Sequence, residues 1–391
     1  MKQINNETMK QWSNEAMKQW SNEAMKQINN EAMKQWNNLY LLLMLNSNKY
    51  FYYFAIMIFV TGGTGFLGAN ILAKLAIEGI AVRVLKRKNS STDFLKKTLL
   101  KYGVSDFYNK IEWVEGDILD YALLLESLNN VEYVIHSAAI ISFDKHKSKS
   151  VTSDNIKGTS NLIDASISNN VKRFCHISSI AAIGSTENGE LINENTEWLN
   201  NKGNSAYSIS KYYSELQVWR GVSEGLSCVI VNPSVLVGSG NWETDFSSIF
   251  TKVNKGLKYY TTGSSGFVDV SDVAEIVKQL TINSEVSGER FIVSSENIEY
   301  KNLLTMIAES LNRKIPSKEV SENLLNIMNK LNSITSLFFG KSVAISSDLA
   351  RIANKKLNYS NNKINDLLNY NFKPIKESIY LIAKEFNESM K

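Results

Sequence analysis

From residue 57 onward, short apolar runs alternate with longer stretches whose apolar residues recur at helical spacing. The short runs are MIFV (57–60), IAVRVL (80–85), IEWVEG (111–116), VEYVIH (131–136), VKRFCH (171–176) and GERFIV (288–293). Runs of this length, bounded by turn residues, suit strands buried on both faces of a parallel sheet. Between them, ANILAKLAIEGI (69–80) and VTSDNIKGTSNLIDASISNN (151–170) read as helices. Strands alternating with helices predict an α/β, doubly wound parallel sheet.

The C-terminal part is less regular. Residues 235–265 and 296–391 read as a smaller, mainly helical substrate-binding part, with 266–295 returning a helix and a strand to the sheet. YKNLLTMIAESLNRK, SENLLNIMNKLNSITSLFFGK and NKINDLLNY are its helical segments. The apolar residues of the second, Leu324 to Phe339, suit a core helix; lining an apolar pocket or touching a membrane are the alternatives.

The front of the chain follows a different pattern. Residues 1–38 repeat with a period of eight, as MKQINNET and MKQWSNEA. That period fits neither a solenoid nor a coiled coil. The composition favours disorder or a marginal helix. Residues 39–60 are apolar but are cut by Asn46, Ser47, Asn48 and Lys49. Neither half reaches the roughly 20 residues that span a bilayer, and no small-residue cleavage site follows. Residues 1–56 are therefore read as an extension outside the fold, with the working protein starting at Met57.

Composition narrows the function. Apolar residues at 43% and charged residues at 21% suit a globular core, and the net charge of +4 is dispersed. Nucleic acid is thus not the expected partner, and there is no firm sign of a membrane. Cys175 and Cys228 form no CxxC, so neither a disulfide framework nor a zinc site is supported and a reducing cytoplasm fits. No cluster of His, Cys and carboxylates suggests a metal. His136 and His176 fall in strands and read as core residues, whereas His146 lies in a charged loop.

The first strand runs into TGGTGFLG, with Gly62, Gly65 and Gly68 at three-residue spacing. Between a strand and a helix, these glycines permit a tight turn, a close backbone approach to a pyrophosphate, and close helix–strand packing. The helix N-terminus adds N–H donors for the phosphates. Residues 57–234 are therefore read as a dinucleotide-binding Rossmann domain. An NAD site would place an acid at the end of the second strand, about 20 residues beyond the glycines. Lys86, Arg87 and Lys88 stand there instead, with no acidic competitor, so NADP(H) is favoured and NAD(H) remains possible. Asp117 and Ile118 follow the third strand and suit the adenine. Ala138 and Ala139 end the fourth and leave room for a cofactor.

Together these segments resemble the extended short-chain dehydrogenase/reductase family, also called the NAD-dependent epimerase/dehydratase family. The matching pieces are TGGTGFLG, Gly116–Asp117, HSAA (136–139), NIKGT (155–159), HISSIAAIG (176–184), YSISK (207–211), VNPSVLVGSG (231–240) and GFVDVSDVAEIV (266–277). The resemblance implies a Ser-Tyr-Lys site of Ser179, Tyr207 and Lys211, and cofactor contacts that include Phe66, Leu67 and Pro233. The four-residue gap sets Tyr207 and Lys211 on one helix face. A nearby Lys⁺ favours the tyrosinate and lowers a phenol pKa, so Tyr207 can exchange a proton with a substrate oxygen. Ser178 is the neighbouring candidate to Ser179, facing the other side of the strand. A homodimer is common in the family.

HISSIAAIG and VNPSVLVGSG look most like the dihydroflavonol-reductase and 3β-hydroxysteroid-dehydrogenase branch. Ser179-Ile180-Ala181 lacks the acid pair that sugar dehydratases carry. The resemblance thus implies carbonyl reduction on a small, fairly apolar substrate. A nucleotide-sugar epimerase is the alternative, with Asn232 then free to contact a substrate phosphate. A non-catalytic NADP-binding sensor and a Trp-repeat scaffold are two further readings.

Overall fold

The computed structural model describes residues 56–140, 148–186, 189–199, 204–320 and 354–390. The period-eight repeat, most of the apolar stretch after it, His146 and the Leu324–Phe339 segment lie outside the described residues. The chain runs β1 (Met57–Thr61), α1 (Phe66–Ile77), β2 (Ala81–Lys86), α2 (Asp93–Lys101), β3 (Glu112–Glu115), α3 (Tyr121–Ser127), β4 (Tyr133–His136), α4 (Ser148–Ser168) and β5 (Arg173–Ile177). It continues β6 (Leu191–Ile192), α5 (Ala206–Ser223), β7 (Cys228–Pro233), β8 (Val235–Val237), α6 (Ser248–Asn254), β9 (Tyr259–Tyr260), β10 (Ser264–Asp269), α7 (Val270–Ile282) and β11 (Glu289–Val293). The last elements are β12 (Glu296–Glu299), α8 (Tyr300–Ser310), β13 (Lys318–Glu319), β14 (Asn358–Tyr359), α9 (Asn362–Leu368) and α10 (Ile375–Ser389).

Seven strands form one parallel sheet in the order β3-β2-β1-β4-β5-β7-β11. This is the doubly wound Rossmann order that the strand–helix alternation predicts. Both faces are covered, which is why the strands read as continuous apolar runs. Phe59, Val134, Phe174 and Ile230 pack with Leu124, Leu162, Ile163 and Val218 of α3, α4 and α5. The intervening Val60, Ile135, Cys175 and Val229 are also fully buried. Helices α1 and α7 pack together, with α7 lying over β4, β5 and β7. The chain reverses direction across the sheet between β1 and β4, which opens a crevice at their carboxyl ends.

A second core lies beyond β7. Strands β12, β10 and β8 form a three-stranded sheet, with β10 antiparallel to β12 and parallel to β8. Of residues 266–295, α7 packs on the main sheet and β11 pairs within it, while β10 belongs to this second sheet. Phe250, Phe267, Leu303, Ile307, Ile379 and Phe386 fill the core between that sheet and α6, α8 and α10. Helix α10 is amphipathic, burying Ile375, Ile379, Ile382, Ala383 and Phe386. Among the described residues, no helix is long and apolar enough to cross a membrane.

Candidate active site

The turn after β1 builds one wall of the crevice. Gly62 has φ +75°, and a Cβ there would lie 2.7 Å from the backbone of Ser137 and Ala138. The Gly62 carbonyl accepts from Gly65 N at 2.9 Å. A Cβ on Gly68 would meet that carbonyl oxygen at 2.1 Å, so α1 starts hard against the turn. At Gly65 an added Cβ would meet only the Gly62 oxygen, at 3.3 Å. The turn and the helix start are thus fixed by packing, while the Gly65 edge faces open space.

A cavity of about 240 Å³ follows from this turn. Its walls include Gly62 and Gly65, then Lys86 at the end of β2 and Arg87 and Ser90 beyond it. Asp117 and Ile118 follow β3, and Ala138, Ala139 and Asn155 complete the far side. The expected cofactor residues Gly62, Gly65, Lys86, Arg87, Asp117, Ile118, Ala138 and Ala139 therefore meet around one space. Phe66, Leu67, Gly68, Tyr207, Lys211 and Pro233 do not line it. The Phe66 ring packs on Phe94, with centroids 5.9 Å apart, and Leu67 is in the core. Phe66 and Leu67 still open α1, whose N-terminal N–H groups face the turn. Pro233 ends β7 and is buried. The glycine cradle, the helix start and the cavity together fit a bound dinucleotide.

One expectation for this wall is corrected. Lys86 does have an acidic competitor, because its ammonium lies 3.0 Å from Glu115 Oε2. The acid comes from the end of β3, the neighbouring strand, and not from the run that follows β2.

Beneath the cavity some polar groups are paired within the protein and others are not. His136 takes Thr61 Oγ1 at 2.8 Å and Thr159 Oγ1 at 3.0 Å. Thr61 Oγ1 also accepts from Ala138 N at 3.2 Å. Burial pushes the His136 pKa down to about 3, with Lys211 adding to the effect. The His176 ring lies 5.1 Å from that of His136, tilted by 41°, and neither of its ring nitrogens has a hydrogen-bond partner. Its pKa is well below the usual range, first through burial and then through His136 and Lys211. Both histidines are core groups and neutral, as their place in strands suggests. Asn155 clamps the loop after β4: it accepts from Ile140 N at 2.8 Å and donates to Ile140 O at 2.9 Å. Its amide also donates to Ser210 Oγ at 3.0 Å, joining the cavity to α5.

Helix α5 carries Tyr207 and Lys211 and begins at Ser205, whose side chain accepts from Ser208 N at 3.0 Å. Three contacts dock it on the end of β5. Lys211 Nζ donates to Ile177 O at 2.8 Å, and Ser208 Oγ donates to Ala181 O at 2.6 Å. The third runs through Glu215, one turn beyond Lys211. Glu215 accepts from Asn232 Nδ2 at 2.6 Å, and the same amide donates to Ser179 O at 2.9 Å. Arg290 holds the other Glu215 oxygen at 3.2 Å and donates to Glu194 O.

Ser179 caps the short turn Ile180–Ala182, its Oγ accepting from Ala181 N at 3.1 Å. That bond uses a lone pair and leaves the hydroxyl proton for the Tyr207 oxygen or for a substrate oxygen. The Tyr207 hydroxyl faces Ser179. Ser178 is buried and points away, toward Glu215.

Protonation at this site differs from the sequence argument. Burial raises the Tyr207 pKa, and Ser179 only partly offsets it. Lys211 sends its ammonium to the strand carbonyl, and the phenol responds to burial and to Ser179. Burial lowers Lys211 itself to about 8, with Glu215 working the other way. Tyr207 is therefore a neutral phenol at neutral pH. Glu215, Asn155 and Glu115 were not foreseen as site residues. Glu215 had a signal in its four-residue step from Lys211, and Glu115 in its place just before Gly116–Asp117.

The family profile described as NAD dependent epimerase/dehydratase matches residues 58–293, more than half of the chain. The chain belongs to that family. A dihydroflavonol 4-reductase-like protein of Synechocystis sp. is 29% identical over 269 residues, covering 67% of this chain and 74% of that protein. Cinnamoyl-CoA reductase 1 of Petunia hybrida is 25% identical over 340 residues, covering 84% of this chain and 91% of that protein. In fold, the chain is similar to the dTDP-glucose 4,6-dehydratase DesIV from Streptomyces venezuelae, solved with NAD and TYD bound. That match has a TM-score of 0.67 at 19% identity and covers 85% of this chain and 97% of the other. The extended short-chain dehydrogenase/reductase resemblance is borne out.

Proposed function

We propose that this family member is an NADP(H)-dependent reductase of a carbonyl on a small, fairly apolar molecule. Ser179, Tyr207 and Lys211 would act on the reacting oxygen and on the cofactor. The observation that carries the reading is the convergence of these three side chains at the end of β5, joined through Asn155 and Ser210 to the cavity behind the glycine turn. The reductases among its relatives by sequence support it.

The glycine turn, the start of α1, Asp117, Ala138 and Ala139 would hold the dinucleotide. A bound nicotinamide would supply the hydride. Tyr207, kept neutral by burial, would donate its proton to the carbonyl oxygen as charge builds there. Ser179, turning its hydroxyl proton from the Tyr207 oxygen to the substrate, would hydrogen-bond the same oxygen and polarise it. Lys211 would hold the nicotinamide ribose while anchored on Ile177 O.

Support for the epimerase alternative weakens at Asn232. That side chain is fully buried, and both amide hydrogens are used on Ser179 and Glu215. It is not free to meet a substrate phosphate.

The reading is tested by denaturing the purified protein and counting released nucleotide, then following NADPH oxidation with a panel of ketones and aldehydes. We expect little tightly held nucleotide and turnover with some carbonyls. Tyr207→Phe should lower that turnover about 100-fold or more without weakening NADPH binding. Stoichiometric bound NAD and no carbonyl reduction would overturn the reading in favour of an epimerase.

A further inference from the structure

The basic run after β2 looks like a free cationic site in the sequence, but its charges are not equivalent. Strands β2 and β3 pair in parallel with Lys86 opposite Glu115, and Gly116 N donates to Lys86 O at 3.0 Å. The two side chains therefore leave the sheet side by side, and the ammonium lies 3.0 Å from the carboxylate. A second cross-strand pair, Arg83–Glu112, has further work to do, since Arg83 also donates to Ser127 O and Asn129 O. Lys86 makes no second bond to the protein among the described residues, and it lines the cofactor cavity. Arg87 lines the same cavity, is exposed, and has no ion pair or side-chain hydrogen bond among the described residues.

A dinucleotide's 2′-phosphate would meet one free cation and one that is already half-neutralised. Beside it would stand the Glu115 carboxylate, a like charge that lies outside the cavity lining but 3.0 Å from the Lys86 ammonium. The ribose 2′-hydroxyl of NAD(H) is uncharged and feels no such repulsion.

We propose that Glu115 is a cofactor-specificity residue: by holding Lys86 it limits the preference of this cleft for a 2′-phosphorylated dinucleotide, leaving Arg87 as the principal reader of that phosphate. This rests on the NADP(H) reading above. The pair is at the surface and contributes little to folding, so its removal acts on binding.

The test is a fluorescence titration of the full chain with NADPH and with NADH. E115Q should raise the NADPH-over-NADH affinity ratio about fivefold, an amount a partly exposed ion pair can supply. That gain should shrink in high salt. K86M should change the ratio less than about twofold in the native background but abolish the gain in the E115Q background, a coupling that a double-mutant cycle reads directly. R87M should lower the ratio about tenfold.

An unchanged ratio in E115Q, or an equal cost of K86M in both backgrounds, overturns the role of Glu115. A native protein that prefers NADH, with a ratio indifferent to R87M, overturns the NADP(H) reading instead. In that case the E115Q ratio still decides whether Glu115 acts on the 2′-phosphate.

Discussion

Asn232 donates to Glu215 at 2.6 Å from a position with no solvent exposure, beneath the segment that carries Ser179. The other amide hydrogen holds the Ser179 carbonyl, so α5 and the Ser179 turn are fixed to one another through a single side chain. Burial pushes the Glu215 carboxyl up, while Ser178, Arg290 and Asn232 hold it down. Removing one member of such a network leaves the others buried without partners. Glu215→Ala should therefore cost about 3–5 kcal/mol in urea unfolding, and Glu215→Gln clearly less, because an amide oxygen still accepts from Asn232. Equal losses for the two variants would show that the bond to Asn232 does not matter.

Lys211 sets the expected response to alkali. Its pKa is lowered to about 8 by burial, whereas that of Tyr207 is raised. On the proposed role of Lys211 at the nicotinamide ribose, NADPH affinity should decline as pH rises through about 8, where its ammonium loses its proton. Glu215→Gln removes the charge that supports the ammonium, and should move the midpoint to lower pH. Lys211→Met should flatten the profile. A midpoint above 10 would assign the titration to the phenol and contradict this account.

The start of α1 tolerates no side chain at Gly68. A Cβ there would sit 2.1 Å from the Gly62 carbonyl oxygen and 2.9 Å from the Gly63 Cα, and neither is the free end of a side chain. The helix would have to move off the turn. Gly68→Ala should lower stability by about 3 kcal/mol and weaken dinucleotide binding. Gly65→Ala, whose Cβ meets only one atom at 3.3 Å, should leave stability nearly intact and weaken binding alone. Equal loss of stability in both variants would remove the distinction between a packing glycine and a ligand-facing one.

The parts of this molecule that follow local rules were legible in its sequence. The buried strands, the glycine turn and the Tyr207–Lys211 step depend on residues close together in the chain, and each was readable. Helix α10 follows a local rule as well, in the spacing of Ile375, Ile379, Ile382 and Phe386. The three-stranded sheet was not legible, because β8 and β12 are only three and four residues long and take their meaning from β10 between them. The charge state of the site was hidden for the same reason. The partner of Lys86 lies 29 residues away on the next strand. The sign of the Tyr207 shift depends on burial, which local spacing does not report.

The His136–His176 pair gives the fold a vulnerability to acid. The folded protein holds His136 neutral down to about pH 3, and His176 also titrates well below its usual range. In the unfolded chain both take up protons near pH 6.5. Between those limits the unfolded state binds more protons, so stability is full above about pH 6.5 and is lost as pH falls. The slope is about 1.4 kcal/mol per pH unit for each histidine. His176 makes no hydrogen bond through its ring, so replacing it with an apolar side chain of similar size sacrifices no polar partner. His176→Leu should unfold at about the native temperature at pH 7.5 and should lose less stability than the native protein between pH 6.5 and 5. Thermal unfolding at half-unit pH steps reads this directly. Parallel curves for the two proteins would mean that the acid sensitivity arises elsewhere, in the carboxylates of the surface ion pairs.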